Sequence, residues 1–164
     1  MGDTQQNLKL AFQGEAEAYF RNHAFAQKAE EDGYPAIAKL FRAVAEAEAV
    51  HCINALRLRK IVRSTEENLE AAFQRELMAK NDKYPEFIKQ AEAEGNSAAG
   101  LIFARTRDVE EMHAGLYKKA MDHMLVDRET EYHICTVCGY IADGQVPDVC
   151  PVCQAPAEKF RKVD

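Results

Sequence analysis

The chain has 164 residues, enough for one ordinary domain or for a helical bundle with a small appendage. Its 21 basic and 27 acidic residues give a formal charge of −6, which argues against nucleic acid and anionic membranes as partners. No apolar run approaches the ~20 residues of a membrane span, and glycine and proline stay sparse until the tail, so long helices are expected first.

The first helix is expected from about Thr4 to Glu31. Leu8, Ala11, Phe12, Glu15, Ala18, Tyr19, Asn22, Phe25 and Ala26 recur at three- and four-residue steps and share one stripe. Glu15 therefore sits within the apolar face, where a carboxylate needs a cation. Gly33 stops the helix, and Pro35 suits the first turn of the next.

A second helix is expected from Pro35 to about Val62, with Ile37, Phe41, Val44, Glu48, His51, Ala55 and Leu58 facing inward. Cys52, next to His51, reads as a small buried apolar residue. Ser64 and Glu67 form a capping box that opens a third helix over about Thr65–Glu94. Its stripe of Leu69, Ala72, Phe73, Glu76 and Ala79 runs into a polar middle, Lys80 to Lys83, and Pro85 should kink it. Gly95 ends this helix, and Asn96 or Ser97 caps a fourth. The fourth carries Ile102, Phe103, Thr106, Val109, Glu110, His113, Leu116, Tyr117, Ala120 and Met124 on one side. His23, His123 and His133 lack partner spacing and read as surface or capping residues.

One pattern occurs twice along these helices. Residues 28–51 and 90–113 align without gaps, sharing Gly33/Gly95, Phe41/Phe103 and a Glu-x-x-His pair, Glu48/His51 and Glu110/His113. Each pair is preceded by a single Glu on the helix before it, Glu15 or Glu76. Residues three apart share a helix face. Four Glu and two His projecting into a bundle core form the ligand set of ferritin-like di-iron carboxylate sites.

Residues 125–132 read as a short charged linker, and the tail from Tyr132 changes to short β-type runs and turns. It holds Cys135-x-x-Cys138 and Cys150-x-x-Cys153, two knuckles able to place four thiolates around one ion. Zinc and iron both accept that site. Four cysteines used this way point to metal ligation in a reducing cytoplasm, and MGDTQQNLKL has neither the basic start nor the apolar run of a secretory signal.

Phe12-Gln-Gly-Glu15, Ala38-Lys-Leu-Phe41-Arg42, Glu67-Asn-Leu69, Tyr84-Pro-Glu-Phe87, both Glu-x-x-His pairs and the Cys-Gly-Tyr and Cys-Pro-x-Cys knuckles together resemble the rubrerythrin family. The resemblance covers nearly the whole chain. It implies a mainly α fold, with a ferritin-like four-helix di-iron bundle over residues 1–126 and a rubredoxin-like four-thiolate iron domain over 132–164. It also implies an oxidoreductase that reduces hydrogen peroxide to water, drawing electrons from another redox protein through the four-thiolate iron. Within that resemblance Glu48 and Glu110 would bridge two irons, Glu15 and Glu76 would be terminal, and His51 and His113 would each hold one iron. Tyr84 matches a tyrosine beside the family's site. Two positions depart from the family: Ala79 stands where a seventh carboxylate is usual, and Asn22 where a tyrosine is usual. These departures leave open a di-iron oxidase or ferroxidase that uses O2, and a non-enzymatic metal-binding protein with a zinc ribbon tail stands as the third reading.

The short link between the second and third helices bears on assembly. Ferritin-like half-sites face each other when the two Glu-x-x-His helices run antiparallel, which needs a crossover as long as the bundle. A ~25-residue helix spans about 38 Å, whereas the few residues from Arg63 to Glu67 reach about 17 Å. Two arrangements fit so short a link, a plain up-down-up-down bundle or a homodimer that exchanges helix pairs; the exchanged dimer is favoured, each site taking Glu15, Glu48 and His51 from one chain and Glu76, Glu110 and His113 from the other.

Overall fold

A computed structural model of the chain describes residues 3–123 and 130–163. Most of the linker expected at 125–132 lies outside the described residues. The chain divides into two compact units, residues 1–63 and 64–164.

The first unit is a helical hairpin of α1 (Thr4–Glu31) and α2 (Pro35–Leu58). Asp3 caps α1 by accepting from the Gln5 amide. At its other end Gly33, at φ +81°, lets the Gly33 and Tyr34 amides reach back to the Glu30 and Ala29 carbonyls. Pro35 follows within the first turn of α2, so the reversal takes only three residues. Small residues let the two helices approach closely: Ala26, Ala29 and Ala38 are buried, with Phe41 against them and Phe25 edge-on to Phe41.

α2 ends earlier than the expected Val62. Lys60 takes a left-handed conformation, φ +54°, and the Lys60 and Ile61 amides close on the Arg57 and Leu56 carbonyls. This repeats the cap at Gly33, but with a lysine in a conformation that costs it about 1–2 kcal/mol and that side-chain type does not signal. Ile37, Leu40, Val44 and Leu58, on the side of α2 that carries Glu48 and His51, remain 36–65% exposed.

The second unit begins with the expected capping box. Ser64 Oγ accepts from the Glu67 amide at 3.2 Å while Glu67 Oε2 accepts from the Ser64 amide at 3.3 Å. α3 (Thr65–Met78) continues into a π-helical turn (Ala79–Lys83) and then α4 (Tyr84–Ala93). The Tyr84 amide bonds to the Ala79 carbonyl, five residues back. An α-helical Pro85 would drive its ring into the carbonyl of Asn81. The widened turn just before it is therefore where the strain expected at Pro85 is relieved, and the helical run goes on to Ala93. Gly95 (φ +68°) repeats the Gly33 cap, and Asn96 Oδ1 accepts from the Ala99 amide to open α5 (Ser97–Asp122). α5 packs back along both α3 and α4, with Tyr84, Phe87 and Phe103 in ring contact.

After α5 the second unit ends in a small antiparallel sheet, order β2-β1-β3, of β1 (Tyr132–Cys135), β2 (Ile141–Asp143) and β3 (Phe160–Lys162). His133 pairs with Ala142 on one side and Lys162 on the other. The architecture is the mainly α arrangement expected, followed by a four-cysteine β module.

Candidate metal centres

Among the described residues three clusters of ligating side chains form, one in the first unit and two in the second. Glu15, Glu48 and His51 converge, with one donor atom from each within 4.8 Å of the others. Glu76, Glu110 and His113 do the same. Helix packing brings them together: each Glu-x-x-His pair lies on one face of α2 or α5, and the lone Glu reaches it from α1 or α3.

The two clusters share their internal geometry. His51 Nδ1 lies 2.9 Å from Glu48 Oε2 and 3.9 Å from Glu15 Oε1. His113 Nδ1 lies 3.1 Å from Glu110 Oε2. The Glu48 carboxylate is more enclosed than that of Glu15, 19% against 37% exposed, and the Glu110 side chain is 16% exposed. Burial first, then a hydrogen bond and charge repulsion from Glu110, push the Glu76 carboxyl up to about 7. Two carboxylates so close cannot both ionise without a counter-charge.

The His113 ring shows the same need in its lone pairs. Its Nε2 stands 3.2 Å from the Gly139 carbonyl, an acceptor only, while Nδ1 faces a carboxylate. A neutral imidazole has one N–H and cannot satisfy both. A second proton or a metal ion at Nδ1 can, and with the Glu76 and Glu110 carboxylates beside it the donor set fits a metal.

The third cluster is Cys135, Cys138, Cys150 and Cys153, two of them fully buried and none in a disulfide. Sγ separations are 3.7 Å for Cys135–Cys153 and 3.6 Å for Cys138–Cys150. A tetrahedral ion with bonds of about 2.3 Å needs an edge of about 3.8 Å; a disulfide needs about 2.05 Å. The two knuckles repeat one another. Amides of Gly139 and Gln154 bond back to Cys135 and Cys150, and both residues have positive φ, +85° and +61°. Burial opposes ionisation of the Cys135 thiol, yet the Val137 and Cys138 amides and neighbouring thiols bring it below its ordinary value. Cys138 is pushed up, chiefly by burial.

The other sequence candidates fall as follows. Tyr84 joins the second cluster: its hydroxyl is held above its usual range by burial, then by Glu110 and Glu76. Tyr117, expected only as a member of the inward stripe of α5, is similarly affected, by burial, then Glu76 and Glu110. Its spacing of seven from Glu110, two helical turns on the same face, was the available signal. Cys52 is half-buried with Sγ 3.9 Å from the Phe12 carbonyl, and burial, then Glu15 and Glu48, raise its pKa, as suits a packing residue. His123 is the exposed C-cap of α5. His23 and His133 are half-buried instead, each with a ring nitrogen lacking a hydrogen-bond partner.

Residues 6–121 match the rubrerythrin family and residues 133–161 match the rubrerythrin rubredoxin-like domain. The chain belongs to the rubrerythrin family. Nigerythrin of Nitratidesulfovibrio vulgaris is 34% identical, covering 98% of this chain and 86% of that protein. Rubrerythrin of Porphyromonas gingivalis is 33% identical over 96% and 88%. Among solved structures, mixed-valence nigerythrin superposes with a TM-score of 0.60 at 35% identity, covering 99% of this chain and 88% of that one. Partially reduced nigerythrin gives 0.61 at 34% identity. Rubrerythrins are oxidoreductases that bind iron in both domains, and this chain carries the carboxylate–imidazole clusters and the four-thiolate cluster for it. Among the described residues no helix is long and apolar enough to cross a membrane.

Proposed function

We propose that this rubrerythrin-family chain is a cytoplasmic peroxidase that reduces hydrogen peroxide to water. The observation carrying the proposal is the pair of matching Glu/Glu/His clusters in a chain that also holds a four-thiolate site. Glu15, Glu48, His51, Glu76, Glu110 and His113 would hold two irons, with Glu48 and Glu110 as bridges; Cys135, Cys138, Cys150 and Cys153 would hold a third. Bound there, iron would supply redox chemistry, two electrons for an O–O bond at the pair and single electrons from a redox-protein donor at the thiolate site. The enclosure of Glu48 and Glu110 suits carboxylates shared between two cations. Tyr84, a neutral phenol beside Glu76 and Glu110, would offer a proton to the leaving oxygen.

The ligands come as two half-sets, one in each compact unit, and the assembly follows from the link between them. Residues 59–64 connect α2 to α3. Six residues reach about 20 Å, against about 36 Å for a 24-residue helix like α2. The exposed Ile37, Leu40, Val44 and Leu58 beside Glu48 and His51 are an apolar face of the kind a bundle buries. A homodimer that exchanges helix pairs would complete the site and cover that face. Residues 1–126 would then form the di-iron bundle with a second chain, and 132–164 the rubredoxin-like domain.

Anaerobically reduced protein mixed with peroxide or with O2 in stopped flow tests the activity. Oxidation by peroxide that is at least ten-fold faster supports the peroxidase; faster oxidation by O2 replaces it with an oxidase. A thiolate site that stays colourless after aerobic loading with iron marks a zinc ribbon instead.

A further inference from the structure

The two histidines differ in one respect. His51 is 58% exposed at its side chain, while His113 is 23% exposed and lies against the four-cysteine module. Three contacts within the second unit seat that module on α5. The Gly139 carbonyl, directly after Cys138, lies 3.2 Å from His113 Nε2. Val109, 2% exposed, packs against Gly139, where an added Cβ would stand 3.8 Å from Val109 Cγ1. Lys119 forms an ion pair with Asp143 of β2.

Since a carbonyl only accepts, this contact places the His113 proton on Nε2 and leaves the Nδ1 lone pair facing Glu110. Metal-ligating histidines are oriented in this way by an acceptor on the other ring nitrogen, and losing such a partner typically costs 10–100-fold in metal affinity. Here the acceptor is backbone. It occupies its position only when the Cys135–Cys138 knuckle is closed, and closure of so small a module depends on its metal.

We infer that the four-thiolate site and the Glu76/Glu110/His113 site bind metal cooperatively, with the Gly139 carbonyl as the link: closing the knuckle on its metal fixes His113 as an Nδ1 ligand. By linkage, metal at the carboxylate site tightens the thiolate site by the same factor. The inference rests on reading Glu76, Glu110 and His113 as metal ligands, but not on which oxidant the protein reduces.

The test uses full-length protein with zinc in the thiolate site, titrated anaerobically with ferrous ion and followed by calorimetry. Two variants are compared with the parent. Val109→Asn/Lys119→Glu loosens the docking while keeping all four cysteines; Cys138→Ser/Cys153→Ser empties the thiolate site and leaves α5 untouched. Both should bind ferrous ion roughly 10–100-fold more weakly. Parent-like affinity in the cysteine variant, with loss of its zinc verified, overturns the inference. His113→Ala separates the layers: if it lowers ferrous binding while both docking variants do not, only the coupling fails. If it leaves binding unchanged, the ligand assignment fails and the coupling with it.

Discussion

Glu76 gives the metal-free protein an unusual response to pH. Its carboxyl is pushed up to about 7, first by burial, then by Glu110. In the unfolded chain the same group titrates near 4.5. Below 4.5 it is protonated in both states and has no effect on stability. Between 4.5 and 7 the unfolded chain releases a proton that the folded chain keeps, so stability falls as pH rises, levelling off above 7. At a sealed site the displacement would correspond to about 3 kcal/mol; at this part-exposed carboxyl, screened by water, about 1–2 kcal/mol is expected. With a urea m-value of about 2 kcal/mol/M, the unfolding midpoint drops by about 0.5–1 M. The assay is urea denaturation at pH 5, 6, 7 and 8, with zinc kept in the thiolate site and the carboxylate site stripped by chelator. Glu76→Gln should remove that part of the slope. If the variant keeps the parent's full pH dependence, the raised carboxyl is not where the reasoning puts it. Apposing Glu15 and Glu48 of a second chain would enlarge the effect without changing its sign, while ferrous ion should reverse it, since binding requires the carboxylate.

Glu48→Ala or Glu110→Ala should leave the helices formed while iron analysis drops from about three per chain to about one, that of the thiolate site. Ala79→Glu should speed oxidation by peroxide in stopped flow, because residue 79 follows Glu76 by three positions with α-helical dihedrals (φ −60°, ψ −51°); unchanged kinetics at full occupancy would count against it. Glu15→Ala and Glu110→Ala, unfolded, mixed and refolded with iron, should regain about half of a heterodimer's activity, because exchange puts both lesions in one bundle and none in the other. No recovery would mean unexchanged chains.

Local chemistry made much of this legible in advance. Gly33, Gly95 and the Ser64/Glu67 box each act through neighbours a few residues away, and the end of α1, the start of α3 and the end of α4 followed from them. The three-residue spacing of each Glu-x-x-His pair sufficed to put its members on one face. Lys60 was not legible, since its left-handed turn imitates a glycine cap without the glycine. Nor was the π turn at Ala79–Lys83: Pro85 signalled trouble, but a kink and a widened turn relieve the same clash. The contact between His113 and Gly139 spans 26 residues and involves a carbonyl that every residue possesses, so no side-chain pattern could announce it.

The widened turn makes the spacing of this helix a matter of length as well as of residue type. A π turn is an α-helix with one residue added, and an α-helix advances by about 100° per residue. Winding residues 79–83 as ordinary α-helix without shortening the chain would swing everything after them by roughly a quarter of a circle. Tyr84 would turn away from Glu76 and Glu110, and Phe87 from Phe103. Every ligand would still be encoded, yet the phenol beside them would be gone. A chain one residue shorter here would keep the same facing with an ordinary α-helix, so the extra residue and the widened turn have to come and go together.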